Sequence, residues 1–314
     1  MGFHTGNRPT LNTLYGGAAG GTGPANNGNP LAGTLSFTRA SIDPTAGTSY
    51  VTFSKPWNDC AITNDGTRLF VAPFNENIFF GFKTNTPYNF DTVSEIKAIG
   101  PAASGFQFNA AMDMSDDGTR FWSAGFTSDI YQINLNPTKP FDITDRVSIS
   151  PIGRDELPSP IATRASRALL GLRWGRDKRT CLFVHNISST HILYTVKTSA
   201  DYDLTQVISA HEKIFSPTVT NVAQGATFNY NGTQIFWAHD VDWASPGISL
   251  LNLTTPYDIS TAVYQSTFAI APGAPNLGSI GGIDYFWDGT NHNLFVVSNS
   301  SQTGSYGIYT WAPT

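Results

Sequence analysis

The chain has 314 residues, of which 13% are charged, about half the share that is usual in globular proteins. Its formal net charge is −5 and it has no basic run, which argues against nucleic acid as a partner. It also has no apolar stretch of membrane-spanning length and no secretory signal pattern at its start, so we expect no membrane insertion. The abundance of Gly, Pro, Asn, Ser and Thr predicts many turns and long loops.

Residues 1–33 differ in composition from the rest of the chain. The stretch 16–30 consists mostly of Gly, Ala, Asn and Pro and lacks the apolar residues that a folded unit must bury. We therefore predict a flexible Gly/Asn-rich N-terminal arm at 1–33 and a folded domain at 34–314. The arm is either a disordered tail or a segment that becomes ordered against a neighbouring subunit, anchored by Phe3, Leu11, Leu14 and Tyr15.

One phrase recurs along the folded domain: Asp-Gly or Asn-Gly, then Thr. It stands at 65–70, 117–122, 231–236 and 288–290, with a degenerate copy at 175–183. The glycines of the five copies are at positions 66, 118, 175, 232 and 289, so successive copies are 52, 57, 57 and 57 residues apart. Such a period, carried by a turn, predicts a repeat architecture.

Two further features follow the turn in each unit. A second apolar run stands at 78–82, 130–135, 192–196, 248–253 and 307–311, and a Pro-aromatic-Asp phrase follows at 86–89, 139–144, 201–205 and 255–260, degenerate in the third of these. The runs are short, rich in β-branched and aromatic residues, and bounded by turn residues, as strands are. The Asp-Gly pairs suit tight hairpins because glycine accepts a positive φ.

Each unit therefore supplies four strands, which we name A, B, C and D. No long segment has apolar residues at helical spacing, so we predict an all-β fold. A single four-stranded unit cannot bury both of its faces, whereas units arranged radially can. The sequence predicts a single β-propeller with five four-stranded blades.

The two ends of the chain predict how the ring closes. The last unit ends with the run at 307–311 and has no fourth strand after it. Near the N-terminus, Asp43 precedes Phe53 by the same ten residues that separate Asp258 from Phe268 in the fourth unit. We predict that this N-terminal strand, at 49–53, completes the last blade.

Some residues are predicted to lie in the core. Cys60 and Cys181 fall in strand A of the first blade and strand B of the third, too far apart for a disulfide, so we interpret both as buried free thiols. Trp122 and Trp237 fall on B strands and are predicted to be core residues as well.

The repeat resembles the propeller repeats of tailed-bacteriophage virion proteins and their prophage relatives. The likeness is carried best by 115–119 with 130–133 and by 253–261, and it covers roughly 35–314, although the third unit departs from it in turn and phrase. The resemblance implies a virion protein of the tail, fibre, collar or capsid decoration, present in several copies among other virion proteins. It also implies location in the virion after synthesis in the host cytoplasm.

No motif for catalysis is present. The sequence has no G-x-S-x-G elbow, no H-E-x-x-H and no Cys/His set at zinc spacing, so we predict no enzymatic activity, no cofactor and no metal. Asp142, Asp203 and Asp258 recur once per blade, which favours a turn-capping role over a catalytic one.

A ligand site, if the protein has one, is expected on the face formed by the D–A and B–C loops, which vary between blades. The candidates are Trp57, His239, Asp240, Asp242 and Trp243, because an aromatic plane beside carboxylates suits a sugar. In the alternative interpretation, the two tryptophans merely cap loops. Asp240 and Asp242 alone are insufficient for a Ca²⁺ site.

Three functional hypotheses remain. The leading one is a non-enzymatic structural component of a bacteriophage particle, anchored to neighbours by its N-terminal arm. The second is a carbohydrate-binding propeller that recognises host surface glycan. The third, least favoured, is a glycan-cleaving enzyme.

Overall fold

The fold was analysed in a computed structural model of the chain. The structure describes residues 23–24, 26–38, 57–73, 78–90, 93–99, 111–125, 129–153, 156–159, 168–187, 190–215, 222–240, 246–269, 280–298 and 306–313. In these ranges the regular structure is β-strand, apart from 3₁₀ turns at Pro30–Ala32, Leu204–Gln206 and Ile259–Thr261 and a 3₁₀ residue at Phe90.

Twenty strands form five four-stranded antiparallel sheets. Strand β1 (Thr34–Thr38) belongs to the last blade. Blade one contains β2 (Trp57–Ile62), β3 (Arg68–Pro73), β4 (Phe79–Thr84) and β5 (Val93–Ile99). Blade two contains β6 (Ala111–Met114), β7 (Arg120–Ala124), β8 (Ile130–Leu135) and β9 (Arg146–Ile152). Blade three contains β10 (Ala168–Trp174), β11 (Thr180–Ile187), β12 (Thr190–Thr198) and β13 (Val207–Phe215). Blade four contains β14 (Val222–Phe228), β15 (Gln234–Asp240), β16 (Pro246–Leu253) and β17 (Ala262–Ala269). Blade five contains β18 (Ile280–Trp287), β19 (His292–Ser298), β20 (Tyr306–Trp311) and β1.

The five sheets form a closed ring. Their A strands contact one another in the order β2, β6, β10, β14, β18 and back to β2. Five apolar clusters fill the spaces between the blades, one for each adjacent pair. Each blade thus buries its faces against its two neighbours, and the predicted five-bladed β-propeller is confirmed.

The two recurring phrases of the sequence meet in space, as blade two illustrates. Gly118 has a φ of 67°, and its carbonyl accepts a hydrogen bond from the backbone N–H of Phe141 at 2.7 Å. The Phe141 ring lies against the glycine, where a Cβ would be only 2.5 Å from the ring. The glycine is therefore required both by its backbone angle and by the aromatic ring packed on it. Tyr88 and Tyr257 contact Gly66 and Gly232 in the same way.

The aspartates of the second phrase cap turns, as predicted. Asp142 Oδ1 accepts the backbone N–H of Thr144 at 3.1 Å, and Asp203 and Asp258 accept the equivalent N–H groups two residues later, each at 3.0 Å. A recurring carboxylate used in this way is part of the fold.

Blade three requires a correction to the alignment of the repeat. The residue at the turn position is Lys178, which has a φ of 60° and whose carbonyl accepts the N–H of Tyr202 at 2.7 Å. Gly175 instead lies where Ser115 lies in blade two, since the carbonyl of each accepts the N–H of the residue three later and the N–H of each donates to the carbonyl five residues later. The even spacing through position 175 was therefore wrong in this blade.

Closure by an N-terminal strand is confirmed, but the segment differs from the predicted one. Strand β1 pairs antiparallel with β20, from Thr34 opposite Thr310 to Thr38 opposite Tyr306. The predicted segment, 49–53, lies outside the described residues, and the fourth-strand position next to β20 is occupied by β1. Blade five thus combines both ends of the folded domain.

Part of the predicted arm lies against the propeller. The carbonyl of Asn27 accepts the indole N–H of Trp311 at 2.9 Å, and Asn229 Nδ2 donates to Asn27 Oδ1 at 2.8 Å. The carbonyl of Pro30 accepts the hydroxyl of Tyr309 at 2.6 Å. Residues 26–33 therefore connect blades four and five before β1 begins.

The predicted core residues are confirmed. Cys60 and Cys181 are free and buried, and Trp122 and Trp237 are fully buried on β7 and β15. In the part of the chain that the structure describes, no helix is long and apolar enough to span a membrane.

Candidate functional site

The main concentration of charge lies on the ring axis, where one arginine meets three carboxylates. The guanidinium of Arg173, on β10, lies 3.1 Å from Asp59 Oδ1 and 3.1 Å from Asp113 Oδ1. Its Nε lies 3.7 Å from Asp284 Oδ1. Arg173 also donates to the carbonyls of Cys60 at 2.6 Å and Ile283 at 3.1 Å. Blades one, two, three and five converge on this side chain, and we name Arg173, Asp59, Asp113 and Asp284 the axial cluster.

The carboxylates of the axial cluster also join adjacent blades. Asp59 Oδ2 accepts the backbone N–H of Met112 in blade two at 2.8 Å. Asp113 Oδ2 accepts that of Trp174 in blade three at 2.7 Å, and Asp284 Oδ2 accepts that of Ile62 in blade one at 2.9 Å. The Oδ1 atom of each aspartate accepts the backbone N–H of the next residue in its own strand, at 2.8 to 2.9 Å. The carboxylate oxygens thus supply hydrogen-bond acceptors for backbone N–H groups that are buried at the blade junctions.

Burial strongly affects how the cluster ionises. Desolvation raises the pKa of Asp59 to about 7, against the lowering effects of Arg173 and of the backbone N–H groups. Desolvation likewise raises the pKa of Asp113 to about 6, with Arg173 lowering it and Asp284 raising it. Desolvation disfavours the charged form of Arg173, but the three carboxylates outweigh it and hold the pKa of Arg173 above its usual range. Three carboxylates face one guanidinium, so proton uptake relieves the excess negative charge.

A second polar layer covers the axial cluster on the face formed by the A–B turns. Arg176 Nη1 lies 2.7 Å from Asp116 Oδ1, which also accepts the side-chain amide of Asn64 at 2.8 Å. The hydroxyl of Tyr202 donates to Asp116 Oδ2 at 3.0 Å. Asp116 thereby connects blades one, two and three above the cluster.

Between the two layers is a small cleft of about 40 Å³, lined by residues that include Asp113, Arg173, Arg176 and Tyr202. This volume holds a few water molecules, whereas sites for small organic ligands measure about 300 Å³ or more. Within the described ranges, no group of three His, Cys, Asp or Glu residues is arranged to hold a metal ion. Burial raises the pKa of the Cys60 thiol well above its ordinary value, so this neighbour of the cluster is not activated as a nucleophile.

The described members of the predicted ligand site are both buried. Trp57 is 1% exposed, lies in the apolar cluster between blades five and one, and packs against Phe82 with ring centroids 6.2 Å apart. His239 is 1% exposed and its Nε2 lies 2.8 Å from Ser249 Oγ. The two lie in different blades, in β2 and β15, and neither presents a surface to a sugar.

The side chains of the remaining predicted site residues lie outside the described part of the structure. Asp240 ends β15, where it pairs with Val222 and Pro246 through the backbone, but its side chain is not described. Asp242 and Trp243 lie outside the described residues, as do the arm residues Phe3, Leu11, Leu14 and Tyr15. The hypotheses about them stay predictions.

Sequence reasoning missed the axial cluster, although a signal was present. In four of the five A strands, one charged residue interrupts an apolar run: Asp59 before Cys60, Asp113 between Met112 and Met114, Arg173 between Leu172 and Trp174, and Asp284 between Ile283 and Tyr285. A buried charge requires a partner, and in this ring the partners of Arg173 come from the inner strands of other blades.

Comparison with known proteins shows similarity to solved structures only. No family model and no curated protein matches the chain. Hydrazine synthase of Kuenenia stuttgartiensis matches with 11% identity and a TM-score of 0.41 over 80% of this chain, which spans 58% of that protein's length. A luciferin-regenerating enzyme matches with 8% identity and a TM-score of 0.43, over 88% of this chain and 95% of that one. The β-propeller domain of Cps50 (Swd1) from Myceliophteria thermophila matches with 9% identity and a TM-score of 0.42, over 82% and 84% of the two chains. At these values none of them indicates a function.

Proposed function

We propose that this chain is a non-catalytic structural propeller and that it forms part of a bacteriophage particle. The resemblance of its repeat to the propeller repeats of tailed-bacteriophage virion proteins suggests this assembly. In this proposal the propeller is a rigid body that neighbours contact from outside, and the N-terminal segment contributes to attachment. The chain would be present in several copies among other virion proteins.

The observation that carries the proposal is the state of the ring axis, where the buried charges of four blades meet. The oxygens of Asp59, Asp113 and Asp284 already accept backbone N–H groups, and Arg173 is shared among them. A catalytic carboxylate must instead be free to exchange a proton with a substrate. These charges hold blades together, which supports a structural role.

The glycan-binding alternative gains no support from the described residues, because Trp57 and His239 are both 1% exposed. Asp242 and Trp243 keep that hypothesis testable. A Trp243→Ala variant that loses adsorption to host cells, while Trp57→Phe retains it, would favour the alternative.

The proposal is tested by asking whether the chain is part of a particle. Phage particles from the source culture are separated on a density gradient, and each fraction is probed for the chain. We expect the chain in the particle fractions, at a constant ratio to the capsid protein. A chain found only in fractions without particles would overturn the proposal.

The contribution of the N-terminal segment is tested by deleting residues 1–22, which leaves the contacts of residues 26–33 with blades four and five. We expect a folded chain that no longer enters particles. As the matched control, Leu31→Ala changes an exposed residue of the retained segment and should leave incorporation unchanged. Equal incorporation of the deletion variant would exclude the attachment role.

A further inference from the structure

The face of blade one that packs against blade two carries two cations directly opposite each other. Arg68 on β3 pairs with Lys83 on β4, and Lys83 pairs in turn with Glu95 on β5. All three residues are half-buried. Like charges that face each other across a sheet repel, and the repulsion increases where they are partly withdrawn from water. This pair of cations therefore calls for negative charge beside it.

The two adjacent cations distinguish blade one from the blades that follow it. In blades two to four the corresponding row across strands B, C and D contains at most one charged residue. These rows are Arg120, Asn134 and Ser148 in blade two, Thr180, Lys197 and Ser209 in blade three, and Gln234, Asn252 and Val263 in blade four. The repeat itself does not require the cations of blade one.

Arg68 and its counterpart Arg120 make different contacts. Arg120 donates to the backbone carbonyls of Asp201 and Tyr202, at 2.9 and 2.8 Å. The guanidinium of Arg68 instead lies over the ring of Phe141, with its Cζ atom 5.3 Å from the ring centroid. A ring contacts the flat face of a guanidinium and leaves the N–H groups at its edge available. Among the residues that the structure describes, none accepts a hydrogen bond from the side chain of Arg68.

The carboxylates nearest to these two cations are bound to a third one. Lys97, two residues beyond Glu95 on β5, forms ion pairs with Glu95 at 3.3 Å and with Asp142 of blade two. Three cations, Arg68, Lys83 and Lys97, thus share two carboxylates, so one positive charge is in excess. A single further carboxylate would balance it.

The same residues line a small cleft between blades one and two, together with Gly81 and the rings of Phe70 and Phe141. Its volume is about 10 Å³, which is room for one water-sized group. Sites for sugars and other small organic molecules measure about 300 Å³ or more. Only the end of a side chain fits, so the cleft suits an acidic side chain better than a glycan.

We propose that this cleft binds the carboxylate of an aspartate or glutamate side chain from a neighbouring subunit. The edge of the Arg68 guanidinium holds the two carboxylate oxygens, and Lys83 supplies a second positive charge. The inference rests on the proposed function, because it names the chemistry by which a neighbour contacts the propeller from outside. It is tested first on the purified full chain, where the result does not depend on whether the chain enters particles.

The first test is a titration at low ionic strength with a short uncharged peptide that carries one glutamate, followed through the NMR signal of the Arg68 Nε–H group. We expect this signal to move with the glutamate peptide and to stay in place with the same peptide carrying glutamine. Lys83→Gln should weaken the binding by about fivefold, whereas Lys197→Gln, at the corresponding position of blade three, should leave it unchanged.

Two results of this titration would overturn the proposal. One is a signal that does not move, or that moves equally with both peptides. The other is tighter binding of inorganic phosphate than of the glutamate peptide, which would assign the cleft to a phosphate group.

The second test identifies the neighbour in the particle. A carbodiimide activates a carboxylate, and a lysine amine in contact with it then displaces the activating group and forms an amide. We expect mass spectrometry of treated particles to show Lys83 joined to an aspartate or glutamate of another subunit. This link should be lost in Arg68→Gln and kept in Arg179→Gln, which changes a rim ion pair.

Lys83 joined only to Glu95 of its own chain would overturn the proposal. If the chain is absent from particles, the proposed function fails, and the peptide titration alone decides whether the cleft binds a carboxylate.

Discussion

Arg173 Nη2 lies 3.1 Å from Asp59 Oδ1, although the two residues belong to blades three and one, which are not neighbours in the ring. The same guanidinium reaches Asp113 in blade two, also at 3.1 Å. With Asp284 of blade five 3.7 Å from its Nε, this single side chain connects four blades across the axis. The stability of the ring should depend on it more than on any rim ion pair.

Replacing Arg173 with Met should destabilise the fold by about 3–5 kcal/mol, because it leaves three buried carboxylates without their cation. The free energy of unfolding is measured by urea titration at pH 7.5. The matched control is Arg179→Met, which removes a rim ion pair with Asp201 in which both side chains are 53% exposed, and it should cost at most about 1 kcal/mol. Equal losses in the two variants would contradict the central role of Arg173.

The axial cluster should make stability depend on pH in an unusual direction. The pKa of Asp59 in the folded chain is about 7, above its unfolded value near 3.9, so between these values the native state binds a proton that the unfolded state has lost. Its contribution to stability is complete below about pH 4 and is lost as the pH rises through 7, by up to about 1.4 kcal/mol per pH unit. Asp113, with a pKa of about 6, acts in the same direction over a narrower window.

We therefore expect the urea midpoint of the unmodified chain to fall from pH 5.5 to pH 8. Asp59→Asn should reduce this slope, whereas Asp201→Asn, on the exposed rim, should leave it unchanged. A slope in Asp59→Asn equal to that of the unmodified chain would show that Asp59 does not titrate in this window.

A comparison of Gly118 with Gly289 separates the two reasons for a glycine in the turn, the positive φ and the aromatic ring packed against it. Both have a positive φ, of 67° and 94°, but an added Cβ at Gly118 meets the Phe141 ring while one at Gly289 meets nothing within 4 Å. Gly118→Ala should therefore destabilise the fold by more than Gly289→Ala, whose cost is backbone strain of about 1–2 kcal/mol. Thermal unfolding of the two variants is the measurement, and a larger loss in Gly289→Ala would contradict the packing argument.

Lys178 holds the turn position of blade three with a φ of 60°, where glycine is favoured. Lys178→Gly should raise the free energy of unfolding by up to about 1 kcal/mol, because the left-handed strain is removed. Lys213→Gly, which places glycine inside the edge strand β13, should lower it instead. A destabilised Lys178→Gly variant would show that the lysine side chain contributes more than its backbone angle costs.

The architecture was predictable because its signals are local. An Asp-Gly-Thr turn and the strand after it lie within ten residues, so blade number, the strand order within a blade and the buried Trp122 and Trp237 follow from the repeat. The shift in blade three was not predictable, because Gly175 imitates the turn glycine in sequence while Lys178 takes its conformation.

The axial cluster was harder to predict from the sequence than the strands were. Arg173 and its three partners lie 60 or more residues apart, except that Asp59 and Asp113 are separated by 54, and only the closed ring brings them together. Trp57 and His239 show the opposite error, since their residue types suggested a surface site while strand packing buries both. Asp242 and Trp243 lie outside the described part of the chain, so the predictions about them stay predictions.

Blade five, which pairs β1 with β20, also determines when folding can finish. Thr34 is synthesised 276 residues before its partner Thr310 (310 − 34), and ribosomes add about 5–20 residues per second. Strand β1 must therefore wait on the order of tens of seconds before it can pair, while blades one to four are completed in sequence. Closure of the ring therefore follows the synthesis of all the other strands, and a chain that is truncated before β20 cannot reach it.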